Sequence, residues 1–436
     1  MSSPKATSSK ATGINLLDFK TPPMRAFHMT WWAFFACFTA WFGVAPLMAV
    51  IREDLHLTKD QIGNTIIASV AITVIARLIT GWLLDRIGPR ITYTFLLILG
   101  SLPVMGIGLA HSYESFLLFR LAIGAIGASF VITQYHTTVM FAPNVVGTAN
   151  AVTAGWGNLG GGVAQLVMPM ILGIFVGFGF DQFVAWRLAM IVPGAIMLVT
   201  GFAYYFLTQD TPDGKPVERK KSASGAFREA AADRRVWLLF VLYGASFGIE
   251  ITVDNVAALY FKDHFKLSLG LAGFLAGLTG MMNIFARALG GYLGDRWGRR
   301  WGLPGRARLL GLLVFTEGIA LVCFSRFEAI TPAVISFVIF GLLVCMACGA
   351  TYAITPFLNP QAMGAVAGIV GAGGNVGAVL AGLLFKTESI SATQAFLILG
   401  AVVTLSAPLT LLLRFPAPVE AKHRPKRQKS EVALSA

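Results

Sequence analysis

The chain has 436 residues, of which 56% are hydrophobic and only 13% are charged, about half the charged share of an ordinary globular domain. That composition excludes a typical soluble enzyme. The net charge of +13 would suit nucleic acid only as a basic patch, and the cations are instead divided among short polar connections.

In chain order, residues 1–27 are a polar tail with no apolar run, so they are not a cleaved signal. Twelve apolar runs of membrane-spanning length follow, at about 28–50, 62–84, 91–110, 116–140, 149–177, 185–207, 236–261, 269–293, 307–325, 331–354, 363–386 and 393–414. Inside a bilayer the backbone must satisfy its own hydrogen bonds, so each run is a helix. The predicted fold class is an all-α membrane protein with twelve transmembrane helices. Residues 28–207 and 236–415 make two six-helix bundles, 208–235 a polar linker and 416–436 a basic tail.

Gly155, Gly157 and Gly160 spell G-x-G-x-x-G, the outline of a dinucleotide-binding turn. They lie inside the fifth run with no strand before them, so that reading fails on context. The four cysteines all lie in runs, and Cys345–Cys348 has no histidine or second pair nearby, so neither a disulfide framework nor a metal site follows. No GxxxxGK[ST], HExxH or GxSxG motif is present, and no cofactor or catalytic role is expected. His136 reads as a packed or water-facing side chain.

With the N-terminus placed in the cytoplasm, 24 of the 34 Lys and Arg fall on the cytoplasmic side. That bias is the positive-inside rule, with both termini inside a multi-pass cytoplasmic (inner) membrane protein. The basic "KHRPKRQK" (422–429) follows the same rule and could also touch anionic lipid.

The two bundles repeat. "ARLITGWLLDRIGPR" (76–90) aligns with "ARALGGYLGDRWGRR" (286–300), and "GWGNLG" (155–160) with "AGGNVG" (372–377). Repeated halves are the construction of secondary transporters, which bind substrate at the repeat interface near the bilayer midplane. Gly81, Asp85, Arg86, Gly88 and Arg90, and again Gly291, Asp295, Arg296, Gly298 and Arg300, resemble the 2–3 loop signature of the major facilitator superfamily. The glycines permit a tight turn, and the Asp can cap a helix or pair with Arg across the loop. These residues are expected to hold a gate and not to choose the substrate.

Arg77 and Arg287 carry the substrate argument. Each stands eight positions before the loop Asp, about 12 Å inside the cytoplasmic end of its helix and close to mid-membrane. A charge there costs at least ~2.5 kcal/mol and normally faces a cavity or a partner. The acids well inside runs are Glu250, Asp254 and Glu317, all in the second half, so Arg77 has no acidic partner in its own. Two arginines at the interface suit a planar oxyanion, held by guanidinium forks. Asn158 and Asn375 each place an amide among glycines at equivalent points of the repeat, either to donate to that anion or to bind helices together. Gly155, Gly157, Gly373 and Gly374 keep side-chain bulk off the path and let helices touch.

"AGWGNLGGG" (154–162) and "GAGGNVGAVLAG" (371–382) resemble the paired nitrate signatures of the nitrate/nitrite porter family. The resemblance implies that nitrate or nitrite binds between Arg77 and Arg287. It also implies that Asn158 is the signature asparagine and that Phe130, Tyr243 and Phe247 are aromatic walls, with Phe42 a looser match. A small inorganic anion and protons are the implied ligands; nucleic acid is not, and a monomer suffices.

Import of an anion opposes an inside-negative potential by ~2.3 kcal/mol per charge per 100 mV. Symport with two or more protons, or exchange for nitrite, would overcome it. Glu250 and Asp254 stand one turn apart in "YGASFGIEITVDN" (243–255), so each disfavours ionisation of the other and they can carry protons. That stretch is similar to the proton-coupled nitrate importers, and Glu317 is a third candidate. Alternatively, one acid only neutralises Arg287. Symport is the expectation, exchange the alternative, and a non-transporting nitrate sensor would share the site.

Overall fold

The computed structural model describes residues 10–142, 145–215, 223–359 and 363–415. Apart from one isolated bridge between Ala11 and Phe141, regular structure among the described residues is helical. Eleven helices are long and apolar enough to cross a bilayer. They are span 1 (Pro22–Asp54), span 2 (Lys59–Gly81), span 3 (Arg86–Leu109), span 4 (Tyr113–Met140), span 5 (Thr148–Gly177), span 6 (Gln182–Leu207), span 7 (Arg234–Phe265), span 10 (Ile330–Ile354), span 11 (Gly368–Lys386), span 12 (Ala392–Leu412), and one helix, Ala286–Arg326, that serves two crossings. Span 8 begins as the shorter Leu269–Ile284. It breaks at a 3-10 turn, Met282–Ile284, and continues into Ala286–Arg326, whose later part is span 9. The twelve expected crossings are therefore present, with span 8 discontinuous immediately before Arg287.

Local sequence sets the helix starts. Thr58 with Gln61, Ser112 with Ser115 and Ser391 with Gln394 form reciprocal capping boxes, which satisfy amides that the first turn leaves free. Asp181, Asp233 and Ser268 cap three more helices. Span 1 begins with Pro22 in its first turn, earlier than residue 28. Residues ahead of it pack on the bundle: Ala11 N donates to Met140 O at 3.0 Å and Ile14 lies against a small core of Phe27, Met140 and Phe141. The linker contains a helix, Ala223–Ala232.

The two loop repeats do not turn at equivalent glycines. The first reverses at Gly88, with φ 79°, and Pro89 follows it. The second stays helical through Gly298 and Arg300 and reverses at Gly302, with φ 70°. The reason is proline: Pro304 lies just beyond the second turn, whereas Arg299 stands where Pro89 would, so nothing stops the helix there. Gly298 is thus a packing glycine, and a Cβ on it would lie 2.4 Å from Arg306 Nε.

Between the halves, span 5 packs on span 8 and span 2 on span 11. Spans 5 and 8 meet backbone to backbone: a Cβ on Gly280 would stand 2.4 Å from the Gly162 Cα, the close approach that small residues allow. Spans 7 and 11 do the same inside the second half, where a Cβ on Gly377 would be 2.2 Å from Gly244 O.

The face remote from the termini is bridged across the halves by charge. Arg52 pairs with Asp263 at 2.7 Å, Lys262 with Glu53 at 3.4 Å and Lys386 with Asp60 at 3.5 Å. Lys59 also donates to the carbonyls of Thr387, at 2.8 Å, and Ile390. On the terminal face, the ion pairs among the described residues are local: Asp295 with Arg306 and Asp233 with Arg235, both at 2.6 Å, and Asp213 with Lys215 at 3.4 Å.

Candidate functional site

Spans 2, 4, 7, 10 and 11 bring Arg77, Phe130, Tyr243, Phe247, Tyr352 and Gly371 around a narrow, tightly closed slot between the halves. Its walls are rings. Tyr243 and Phe247, one turn apart on span 7, stack with centroids 5.0 Å apart at 17°. Tyr352 stands edge-on to Tyr243 at 5.2 Å. The Arg77 guanidinium lies over the Phe130 ring, 5.6 Å from its centroid. It crosses to the other half to donate Nη1–H to Gly371 O at 3.3 Å, while its Nε has no partner. No ion pair among the described residues neutralises it.

Arg287 is placed differently. Its Nη2 donates to both oxygens of Glu250, at 3.0 and 2.9 Å, and its Nε to Asn283 Oδ1 at 2.9 Å. Asn283 Nδ2 returns to Glu250 Oε1 at 2.8 Å, and the thiol of Cys348 reaches Oε2 at 3.5 Å. Arg287 and Glu250 are 6% and 5% exposed, and burial of this kind requires such dense partnering. Arg287 meets the slot through the Phe247 ring, 5.4 Å away, and is not itself among the lining residues. The pair is internally neutral, so the uncompensated charge of the slot belongs to Arg77.

The two asparagines part company. Asn158 Nδ2 donates to Ala154 O at 2.8 Å, within its own helix. In span 11 the corresponding carbonyl is that of Gly371, which Arg77 occupies. Asn375 is fully buried, and neither its Oδ1 nor its Nδ2 has a partner. The glycines pack: Gly157 against the Phe34 ring, Gly373 against Phe240 O, Gly374 against Phe247 and Tyr243, and Gly155 towards Asn283 O. Gly374 therefore acts on the slot indirectly, by leaving room for its ring wall. Phe42 does not line the slot; with Asp254 it lies against Gly161 of span 5.

Asp254 is 6% exposed and its Oδ1 has no partner. Glu317 is fully buried and accepts from Ser246 Oγ at 2.7 Å, inside the second half. Of the loop residues, Asp295 pairs across its turn with Arg306, which also donates to Ala353 O at 2.7 Å. Gly291 faces Gly349 O, while Gly81 has open space around it. Arg86 and Arg296 are exposed on their helices, and Arg300 lies over Trp301. In the first half, Asp210 accepts the Arg90 backbone N–H at 2.9 Å, and Arg90 Nε donates to Tyr205 O at 2.8 Å. Burial raises the Asp210 carboxyl above its ordinary range. The side chain of Asp85 lies outside the described residues.

Sequence reasoning missed Tyr352 as a wall, Asn283 as the link between Arg287 and Glu250, and Asp210 as the cap after the first turn. Asn283 was within reach, since it precedes Arg287 by one helical turn. Tyr352 was not, being one aromatic in an apolar run.

Two bundles of six helices enclosing a buried cationic slot at their seam define a secondary transporter of major facilitator architecture. The profile of the Major Facilitator Superfamily matches residues 30–356. The chain belongs to this superfamily and, within it, to the nitrate/nitrite porters, a family of transporters and not of enzymes. It is 38% identical over 421 residues to the "High affinity nitrate transporter 2.5" of Arabidopsis thaliana, covering 95% of this chain and 84% of that one. It is 38% identical to the "Nitrate transporter 2.2" of Chlamydomonas reinhardtii over 85% of this chain and 74% of the other. The "Nitrate/nitrite transporter NrtP" of a Picosynechococcus species shares 30% identity over 83% and 85% of the two chains. Among solved structures, an inward-facing bacterial homologue of the human lysosomal transporter Spinster superposes with a TM-score of 0.72 at 17% identity, covering 93% of this chain and 99% of that one. That likeness concerns the fold alone.

Proposed function

We propose that the protein carries nitrate, and nitrite, across the cytoplasmic membrane by alternating access, in symport with protons. The observation that carries the anion assignment is Arg77: a half-buried guanidinium, paired with no carboxylate among the described residues, facing a slot walled by flat rings. A fork of that kind suits a planar oxyanion, and ring walls suit one that is weakly hydrated. The names of the relatives agree with this substrate. Arg287 contributes through the Phe247 ring and becomes a second donor if Glu250 releases it. The excess of cations at the terminal face supports a cytoplasmic placing of both termini. The charge-bridged face is then extracytoplasmic, and the slot awaits opening towards the cytoplasm. The protein works as a monomer in lipid, since each half completes the slot of the other.

Glu250 is committed to Arg287, whereas Asp254 has a buried oxygen with no partner. Glu317 also has an unpartnered oxygen but is held by Ser246 inside the second half, whereas Asp254 lies against Gly161 of the first half; that place at the seam favours Asp254 as the proton carrier, with Glu250 coupling its charge to Arg287. The test is to record current and internal pH together while nitrate is added to proteoliposomes. Inward positive current with internal acidification is the expected result. Electrical silence with nitrite release would establish exchange instead. Replacing Asp254 by Asn abolishes proton-driven accumulation and spares nitrate exchange; surviving accumulation refutes Asp254 as the proton carrier.

A further inference from the structure

A third intramembrane arginine lies between the charge-bridged face and the slot. Arg120 of span 4 is 1% exposed, and its hydrogen-bond partners are all neutral. Nη1 donates to Trp41 O at 3.2 Å, and Nη2 to Ser69 Oγ at 3.1 Å and Asn255 Oδ1 at 3.3 Å. Nε has no partner. A buried guanidinium with no carboxylate is costly in a membrane and points to a ligand or a water-filled path. Ser69 precedes Arg77 by eight residues on the same helix, which places the Arg120 contact about 12 Å from Arg77 along the axis, towards the bridged face.

The partners divide by half. Trp41 and Ser69 belong to the first bundle and Asn255 to the second. When the bridged face opens, Asn255 departs with its bundle while Trp41 and Ser69 stay. The edge thereby freed, Nε beside Nη2, is one of the parallel-donor edges that a guanidinium offers to a two-oxygen acceptor. Asn255 Oδ1 accepts from Nη2 while the face is closed and leaves Nε unpaired, a stand-in for one oxygen of a ligand. Its amide is held in turn by a bond from Nδ2 to Ile251 O at 2.8 Å, so the oxygen is aimed.

We propose that Arg120 is a transient subsite for a small planar oxyanion on its way from the bridged face to Arg77, with Asn255 closing it behind the ion. The inference rests on the reading of nitrate as a substrate taken up from that face.

The experiment uses the full-length protein, with nitrate uptake kinetics in proteoliposomes and equilibrium nitrate binding in detergent. Arg120→Gln raises the uptake KM about tenfold, the loss of one charge-assisted hydrogen bond. Its kcat and its equilibrium Kd, set at Arg77, stay within about twofold. Arg120→Lys, which keeps the charge without the fork, falls between. Asn255→Ala removes the same contact from the other side and leaves KM at or below the wild-type value, because it frees the subsite. If Arg120 only pins the halves together, Asn255→Ala instead raises KM as Arg120→Gln does, and the proposal is overturned. An unchanged KM in Arg120→Gln overturns it as well. Should Arg120→Gln fail to fold, the Asn255→Ala result decides alone. A wild type that takes up no nitrate refutes the transport reading, an outcome separate from either of these.

Discussion

Replacing Arg77 by Gln removes the one slot charge that no protein carboxylate balances. Its only hydrogen bond among the described residues is a long one, 3.3 Å to Gly371 O, and its Nε is unused. Little folding energy therefore rests on the guanidinium. The loss falls on the anion. One charge-assisted hydrogen bond is worth about 1.5–3 kcal/mol, or roughly a 10- to 150-fold rise in nitrate Kd. Arg77→Lys restores the charge without the fork and recovers only part of the affinity. Calorimetric titration of purified protein with nitrate measures the Kd, and thermal unfolding in the absence of ligand checks that Tm stays near the wild-type value. Nitrate affinity within twofold of wild type in Arg77→Gln would refute the placing of the anion at this residue.

Glu250→Gln acts in the opposite sense. It leaves Arg287 buried without its carboxylate, and breaking such a pair costs about 3–5 kcal/mol. Thermal unfolding of this variant shows a large fall in Tm that saturating nitrate partly reverses, because the anion replaces the missing charge; a fall that nitrate does not touch contradicts the model of a shared anion-binding centre. Gly349→Ala tests the support beneath Arg287, since its Cβ would sit 2.0 Å from Arg287 O. It lowers both Tm and nitrate affinity, while Gly173→Ala, with open space around its Cβ, changes neither, as parallel unfolding and binding curves would register.

The twelve crossings and the repeat were legible because a bilayer imposes length and apolarity on every span. Arg77 and Arg287 were legible because a charge at that depth is expensive. What each arginine does was not, since that depends on neighbours from distant spans. Glu250 and Asp254 look alike in a linear pattern, yet Glu250 reaches Arg287 and Asp254 turns towards span 5. The same limit hid the break in span 8 at Met282–Ile284, which no proline announces. It also hid the shift of the second turn to Gly302, although Pro304 and the absence of a proline beside Gly298 carried that signal. Phe42 shows the converse: a ring of the right type in a suitable span, packed away from the slot.

The bridges between the halves on the face remote from the termini have an energetic consequence. Their partners are 28–48% exposed, so each contributes no more than about 1 kcal/mol. These three pairs add only a few kcal/mol to the closure, beside the Lys59 hydrogen bonds to Thr387 and Ile390, and dissolved ions weaken them further. On the proposed orientation that mouth faces the surrounding medium, whose salinity would then tune how readily it reopens.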